Sequence, residues 1–154
     1  MSELYIDKDL IEIDLDSKNK VDVIKKMSNI LAGADFVKES YQEAVLKREE
    51  EFPTALKSKN IAFAIPHTDP EHVNKAAIAL ARLKNEVDFV SMDNYDKKLG
   101  VKLVFLLAIT DPSKQVKVLQ KLISIMQNKE VVDRIMESKN KEELVEILER
   151  NLEI

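Results

Sequence analysis

Cysteine and tryptophan are absent from this chain, and glycine and histidine occur only twice each. Without cysteine there is no disulfide framework and no zinc–thiolate site, and a reducing cytosol is the expected home. With glycine only at Gly33 and Gly100, no phosphate-cradling loop exists, which disfavours the usual modes of nucleotide binding. No serine stands in a nucleophile-elbow sequence, so a Ser-His-Asp hydrolase has little support. No apolar run approaches the ~18 residues that span a bilayer. The opening MSELYIDKDL is too polar and charged for a secretory signal. A net charge of -4 and a pI of 5.3 leave no electrostatic footprint for nucleic acid. What remains, at 45% apolar and 34% charged residues, is a soluble globular protein, read as one domain over 1–154.

The residues that are present alternate between strand and helix periods. Residues 3–15 alternate loosely and read as an opening strand. From Lys20 to Ala32 the period becomes helical, with Val21, Ile24, Met27 and Leu31 on one face, Ser17 or Asn19 as cap and Gly33 as stop. A second helix is expected from Val37 to Glu50, with Val37, Tyr41, Ala44 and Val45 facing inward. Phe52-Pro53-Thr54 ends it, and a polar loop around Lys57–Asn60 leads to an apolar strand, Ile61–Ile65. Strands are expected at Ala76–Leu83 and Glu86–Val90, and a loop at Asp93–Lys97. Val101–Ile109 is the most hydrophobic run and reads as a central, fully buried strand. A helix capped by Asp111 or Ser113 follows, with Val118, Leu119, Leu122, Ile123 and Met126 as its stripe. Two short helices near 130–137 and 141–151 close the chain. Several strands follow one another without intervening helices. The fold class is therefore α/β, a single mixed β-sheet flanked by helices on both faces.

Both histidines fall in one segment, Pro66-His67-Thr68-Asp69-Pro70-Glu71-His72-Val73. Any histidine-based nucleophilic chemistry must happen there. Pro66 cannot donate to a sheet ladder and so ends the strand. His67 then emerges at the rim of a rigid sheet, held yet reachable by a large partner. The plain alternative is a turn histidine without chemistry. A metal pair is a weak reading, because a separation of five between His67 and His72 suits neither a helical pair nor a zinc signature. A neutral imidazole nitrogen is available near neutral pH, since free histidine titrates at ~6.5, and can accept a phosphoryl group. A guanidinium suits the oxygens of a group in transfer, and Arg48 ends the helix that leads into this region. Alternatively, Arg48 is only a favourable cation at a helix C-terminus.

Pro53-Thr54-Ala55-Leu56 followed by Pro66-His67-Thr68-Asp69-Pro70-Glu71-His72-Val73 resembles the enzyme IIA components of the bacterial sugar phosphotransferase system. The fructose/mannitol/nitrogen class is meant, and the histidine segment looks most like its galactitol branch. Tyr41, Ala44-Val45-Leu46 and Arg48-Glu49 upstream match in order, as do LVFLLAI (103–109), Gln115, Val118-Leu119 and Leu122 downstream. The resemblance spans essentially the whole chain.

The resemblance implies a type-2 enzyme IIA fold and a cytoplasmic phosphocarrier without metal or cofactor. His67 would take phosphoryl from the phosphohistidine of HPr and pass it to a cysteine of a cognate enzyme IIB, with Arg48 steadying the group. The membrane would be reached only through the IIC component. Thr54, His72 and Gln115 would line the pocket, and Phe63, Ile65 and Val73 would support an apolar docking patch. Two departures stand out. Gln115 replaces a second histidine of mannitol-type members, and Ala55, Asn60 and Ala62 stand where many relatives have glycine. A competing expectation is a phosphorylation-dependent regulator that binds a target and transports nothing.

Overall fold

The apolar run after Lys98 becomes the middle of the sheet, as its composition demands. The computed structural model describes residues 4–152. Its five strands are β1 (Ile11–Leu15), β2 (Ala55–Lys57), β3 (Ala62–Ala64), β4 (Ala77–Val90) and β5 (Lys98–Ala108). They lie in the order β1-β4-β5-β3-β2. β1 runs parallel to β4, β4 antiparallel to β5, β5 parallel to β3, and β3 antiparallel to β2, so the sheet is mixed as expected.

Alternation along the strands sorts the core into two layers. Ala77, Ala79, Ala81, Val104, Leu106 and Ala108 face α1 (Lys20–Gly33) and α2 (Tyr41–Glu51), where they meet Ile24, Met27, Leu31, Tyr41 and Val45. Ile78, Leu80, Leu103, Phe105 and Leu107 face the other way. They pack on α3 (Pro112–Met126), α4 (Lys129–Glu137) and α5 (Lys141–Leu152). The sheet face toward α1 and α2 is rich in alanine, whereas the opposite face carries mostly branched and aromatic side chains. Each large side chain taken fully out of water contributes roughly 1.5–3 kcal/mol. Asn19 caps α1, Asp111 caps α3 and Asn128 caps α4, each accepting a backbone N–H with its side chain.

Five expectations need correction. The opening strand expected over 3–15 begins outside the described residues, and its strand portion is only Ile11–Leu15, because Asp7 caps a 3-10 turn over Lys8–Leu10. The second helix begins at Tyr41, not Val37. Asp35 takes a left-handed φ of 63° and Val37 bridges Val73, so the chain is extended where the helix was expected. Ala44 is only half-buried. An unexpected strand, β2, too short to show a period, precedes the polar loop and takes in its first residue, Lys57. Finally, Ala76–Leu83 and Glu86–Val90 are one strand. β5 is long enough to pair with both parts, and exposed Lys84–Glu86 are accommodated by a register shift between Arg82 and Val87.

Candidate functional site

β3 ends against Pro66, whose carbonyl accepts the N–H of Leu107 at 3.1 Å, so the last residue before His67 is tied to the central strand. Tyr41 donates its buried hydroxyl to the Leu107 carbonyl at 2.6 Å and pins α2 to the same end of the sheet. His67 therefore leaves a backbone fixed on two sides. Its side chain is only 8% exposed. Nδ1 lies 2.8 Å from the carbonyl oxygen of Ile65. A carbonyl can only accept, so Nδ1 carries the proton and, in the neutral ring, Nε2 carries the lone pair. Burial pushes the imidazole below its usual range, and the Arg48 charge adds to that push. The Ile65 carbonyl and Asp69 oppose it without reversing it. The ring is thus neutral at pH 7, with one nitrogen engaged and the other available.

Arg48 lies in the last turn of α2. Its guanidinium sits 5.4 Å from the centre of the Phe52 ring and 3.6 Å from Asp69. Asp69 is exposed, so this ion pair is a loose clamp rather than a stabilising anchor. The Arg48 Nε is buried and has no protein partner. A free, buried guanidinium donor at the site of a neutral imidazole is suited to the oxygens of an anionic group.

The other expected site residues separate into two groups. Thr54 belongs to the site through the backbone. Its Oγ1 accepts the Ile65 N–H at 3.1 Å and donates to Glu49 Oε1 at 2.8 Å, while its own N–H donates to Glu49 Oε2 at 2.9 Å. Gln115 occupies the first turn of α3, which follows β5 at the His67 end of the sheet, and its Oε1 is buried without a partner. His72 points elsewhere. It closes the 3-10 turn Pro70–His72, and its Nδ1 meets Ser40 Oγ at 2.8 Å. Among the described residues no hydrogen bond joins His72 or Gln115 to His67. Nor is any group of three or more His, Asp or Glu side chains placed to hold a metal ion, among the described residues.

Phe63, Ile65 and Val73 are all buried, Val73 in the layer facing α1 and α2 and the other two in the opposite layer, so they cannot themselves face a partner. The exposed apolar side chains nearest in sequence to site residues are Phe52, beside Arg48 on α2, and Val116, beside Gln115 on α3, at 54% and 53% exposure. Sequence reasoning passed over Glu49, since an acid in a run of Glu-Glu-Glu gives no sign of burial. It is 3% exposed, and desolvation raises its pKa to about 7 against the two bonds from Thr54.

Comparison with known proteins places the chain in a family. Residues 4–151 match the family described as "Phosphoenolpyruvate-dependent sugar phosphotransferase system, EIIA 2". The chain belongs to that family and is a phosphotransferase component. It is 29% identical over 136 residues to the galactitol-specific EIIA component of Escherichia coli strain K12, covering 88% of this chain and 87% of that one. Its fold is that of a chain in the complex of enzyme IIAMTL and phosphorylated enzyme IIBMTL from Escherichia coli. That match has a TM-score of 0.75 at 21% identity and covers 94% and 97% of the two chains. The nitrogen regulatory protein IIA-Ntr from Neisseria meningitidis superposes with a TM-score of 0.74 at 24% identity, covering 95% and 96%. The mixed sheet between helix layers is thus the type-2 IIA architecture. Among the described residues no helix is long and apolar enough to cross a membrane.

Proposed function

We propose that this protein is the cytoplasmic phosphocarrier of a sugar or polyol uptake system, galactitol-like in kind, with residues 1–154 acting as one domain. Phospho-HPr is the donor and a cysteine of enzyme IIB the acceptor. Membrane involvement comes only through the IIC component. The observation that carries the reading is the bond from His67 Nδ1 to the Ile65 carbonyl, which leaves Nε2 as the nucleophile.

In the first step the Nε2 lone pair attacks phosphorus. The new N–P bond forms as the donor's P–N bond breaks, and the donor ring leaves with that electron pair. His67 keeps its Nδ1 proton, so the phosphorylated ring is an imidazolium whose charge faces the Ile65 carbonyl dipole. In the second step an acceptor thiolate attacks phosphorus, and the N–P electron pair returns to Nε2. No proton moves in either direction. Arg48 meets the equatorial oxygens with its unpartnered Nε and its charge. Because the phosphoryl group arrives already activated on nitrogen, no metal or cofactor is required. Gln115 Oε1, a buried acceptor without a partner, lines the pocket wall formed by α3, and exposed Phe52 and Val116 rim the docking face.

A regulatory role, in which the phosphorylated protein binds a target, is the competing reading. Similarity to a galactitol-specific component over most of both chains favours transport. The test is labelling with phosphoenolpyruvate, enzyme I and HPr. Acid-labile, base-stable phosphate on the wild type but not on His67→Ala is expected. Equal labelling of the variant, or no labelling of the wild type by active HPr, overturns the proposal.

A further inference from the structure

Glu49 is the only Asp or Glu side chain buried among the described residues. An acid inside a protein is costly unless its oxygens are used. Here both oxygens are used on one residue, Thr54, whose N–H and hydroxyl each donate to one of them. Having given its proton to Glu49, the Thr54 hydroxyl can only accept in its remaining direction, and it accepts the N–H of Ile65. The carbonyl of the same residue, Ile65, receives the His67 Nδ1–H. The links run without a gap from the end of α2 to the imidazole. β3 stops at Ala64, and although the Pro66 carbonyl is tied to Leu107, the Ile65 N–H goes to the Thr54 hydroxyl rather than to a strand.

We propose that Glu49 is a positioning residue for His67. Its carboxyl orients the Thr54 hydroxyl, the hydroxyl fixes the Ile65 residue at the end of β3, and the Ile65 carbonyl sets the tautomer and the aim of the His67 ring. Arg48 and Glu49 then act as a consecutive pair on one helix end. Arg48 holds the group in transfer, and Glu49 holds the nucleophile that receives it. The assignment of a nucleophile rests on the function proposed above, whereas the control of the ring does not.

The test reads the ring directly. Nitrogen-15 NMR of the unphosphorylated protein at pH 7.5 should show His67 as the Nδ1–H tautomer. In Glu49→Gln the amide can accept from the Thr54 hydroxyl or from the Thr54 N–H, but not from both with the original geometry, and the His67 ring should shift to a tautomer mixture. Thr54→Val keeps the side-chain shape, removes the hydroxyl link and should give the same change, so it carries the test if Glu49→Gln folds poorly. Thr54→Ser, which keeps the hydroxyl, should restore the wild-type spectrum. Phosphoryl uptake by Glu49→Gln should fall about tenfold in maximal rate, with little change in the donor concentration for half-maximal rate. Folded Glu49→Gln or Thr54→Val protein with the wild-type His67 spectrum overturns the inference. A shifted ring in a protein whose wild type takes no phosphoryl would instead overturn the proposed function and leave the positioning role standing.

Discussion

The two histidines differ in everything except residue type. His67 follows a strand end tied to the centre of the sheet, is nearly sealed from solvent, and has its Nδ1 committed to a carbonyl. His72 closes a 3-10 turn, is half-buried, and shares its Nδ1 with the hydroxyl of Ser40. A carbonyl partner dictates the tautomer, whereas a hydroxyl can donate or accept and dictates nothing. The backbone carbonyl of His72 also accepts the Lys38 N–H, so this turn laces the α1–α2 connection to the loop. One imidazole is held in a single tautomer with Nε2 unengaged, and the other stitches two segments together. Proximity in sequence says nothing about shared function.

The largest effect should separate these roles outright. His67→Ala should lose phosphoryl uptake entirely, as expected on removal of the proposed nucleophile. His72→Ala should keep uptake within about fivefold while losing about 1 kcal/mol of stability with its Ser40 bond. Radiolabelling and chemical denaturation of both variants check this pair of outcomes. Next in size is Arg48→Ala, expected to slow uptake by about 10²–10³-fold, as for removal of a charged donor from a transferring group. Arg48→Lys should recover only part, since an ammonium lacks the planar fork. Stability should barely move, because the Asp69 pair is exposed.

The pH dependence sharpens the comparison further, because two buried groups at the site titrate with opposite effects. His67 has its pKa lowered by burial, so its neutral form stabilises the fold above the unfolded-state value of ~6.5. That contribution is lost as pH falls through the lower folded value. Uptake should decline over the same acid range, as the lone pair on Nε2 is protonated. Glu49 runs the other way. Its pKa rises from 4.5 to about 7, so its contribution is fully present below the unfolded value and is lost as pH rises towards and through about 7. The loss should be on the order of 3 kcal/mol between about pH 4.5 and 8. Stability measured against pH for the wild type and Glu49→Gln isolates this slope, which should vanish in the variant. The smallest effect belongs to the stitch. Ser40→Ala should cost about 1 kcal/mol or less and leave uptake unchanged.

How much of this was legible in the sequence depends on the range of the forces involved. Val101–Ile109 announced the central strand because burial on both faces demands a near-continuous apolar run, broken here only by half-buried Lys102, and β5 is indeed flanked by β4 and β3. Pro66 announced the strand end, and the caps were narrowed to Ser17 or Asn19 and to Asp111 or Ser113, of which Asn19 and Asp111 are the ones used, since each acts on neighbours a few residues away. β2 was illegible because three residues cannot display a period, and it forms only by pairing with β3. The single long β4 was read as two strands because its bulge looks like a turn until the partner strand is known. Phe63, Ile65 and Val73 read as support for an apolar patch, and their burial shows that any such support comes from within the core. Glu49 and the engaged nitrogen of His67 depend on contacts between Glu49, Thr54, Ile65 and His67, which only the fold brings together. Helix α2 ends in three consecutive glutamates, and sequence alone cannot tell that the first is buried and the next two exposed.

The most direct test of the account is the site of phosphorylation in the labelled protein, read by phosphorus–nitrogen coupling in NMR of a nitrogen-15 histidine sample. A single phosphorus coupled to Nε2 of His67 is expected, with Nδ1 still protonated and His72 unmodified. Phosphorus on Nδ1 of His67, or on His72, would contradict it.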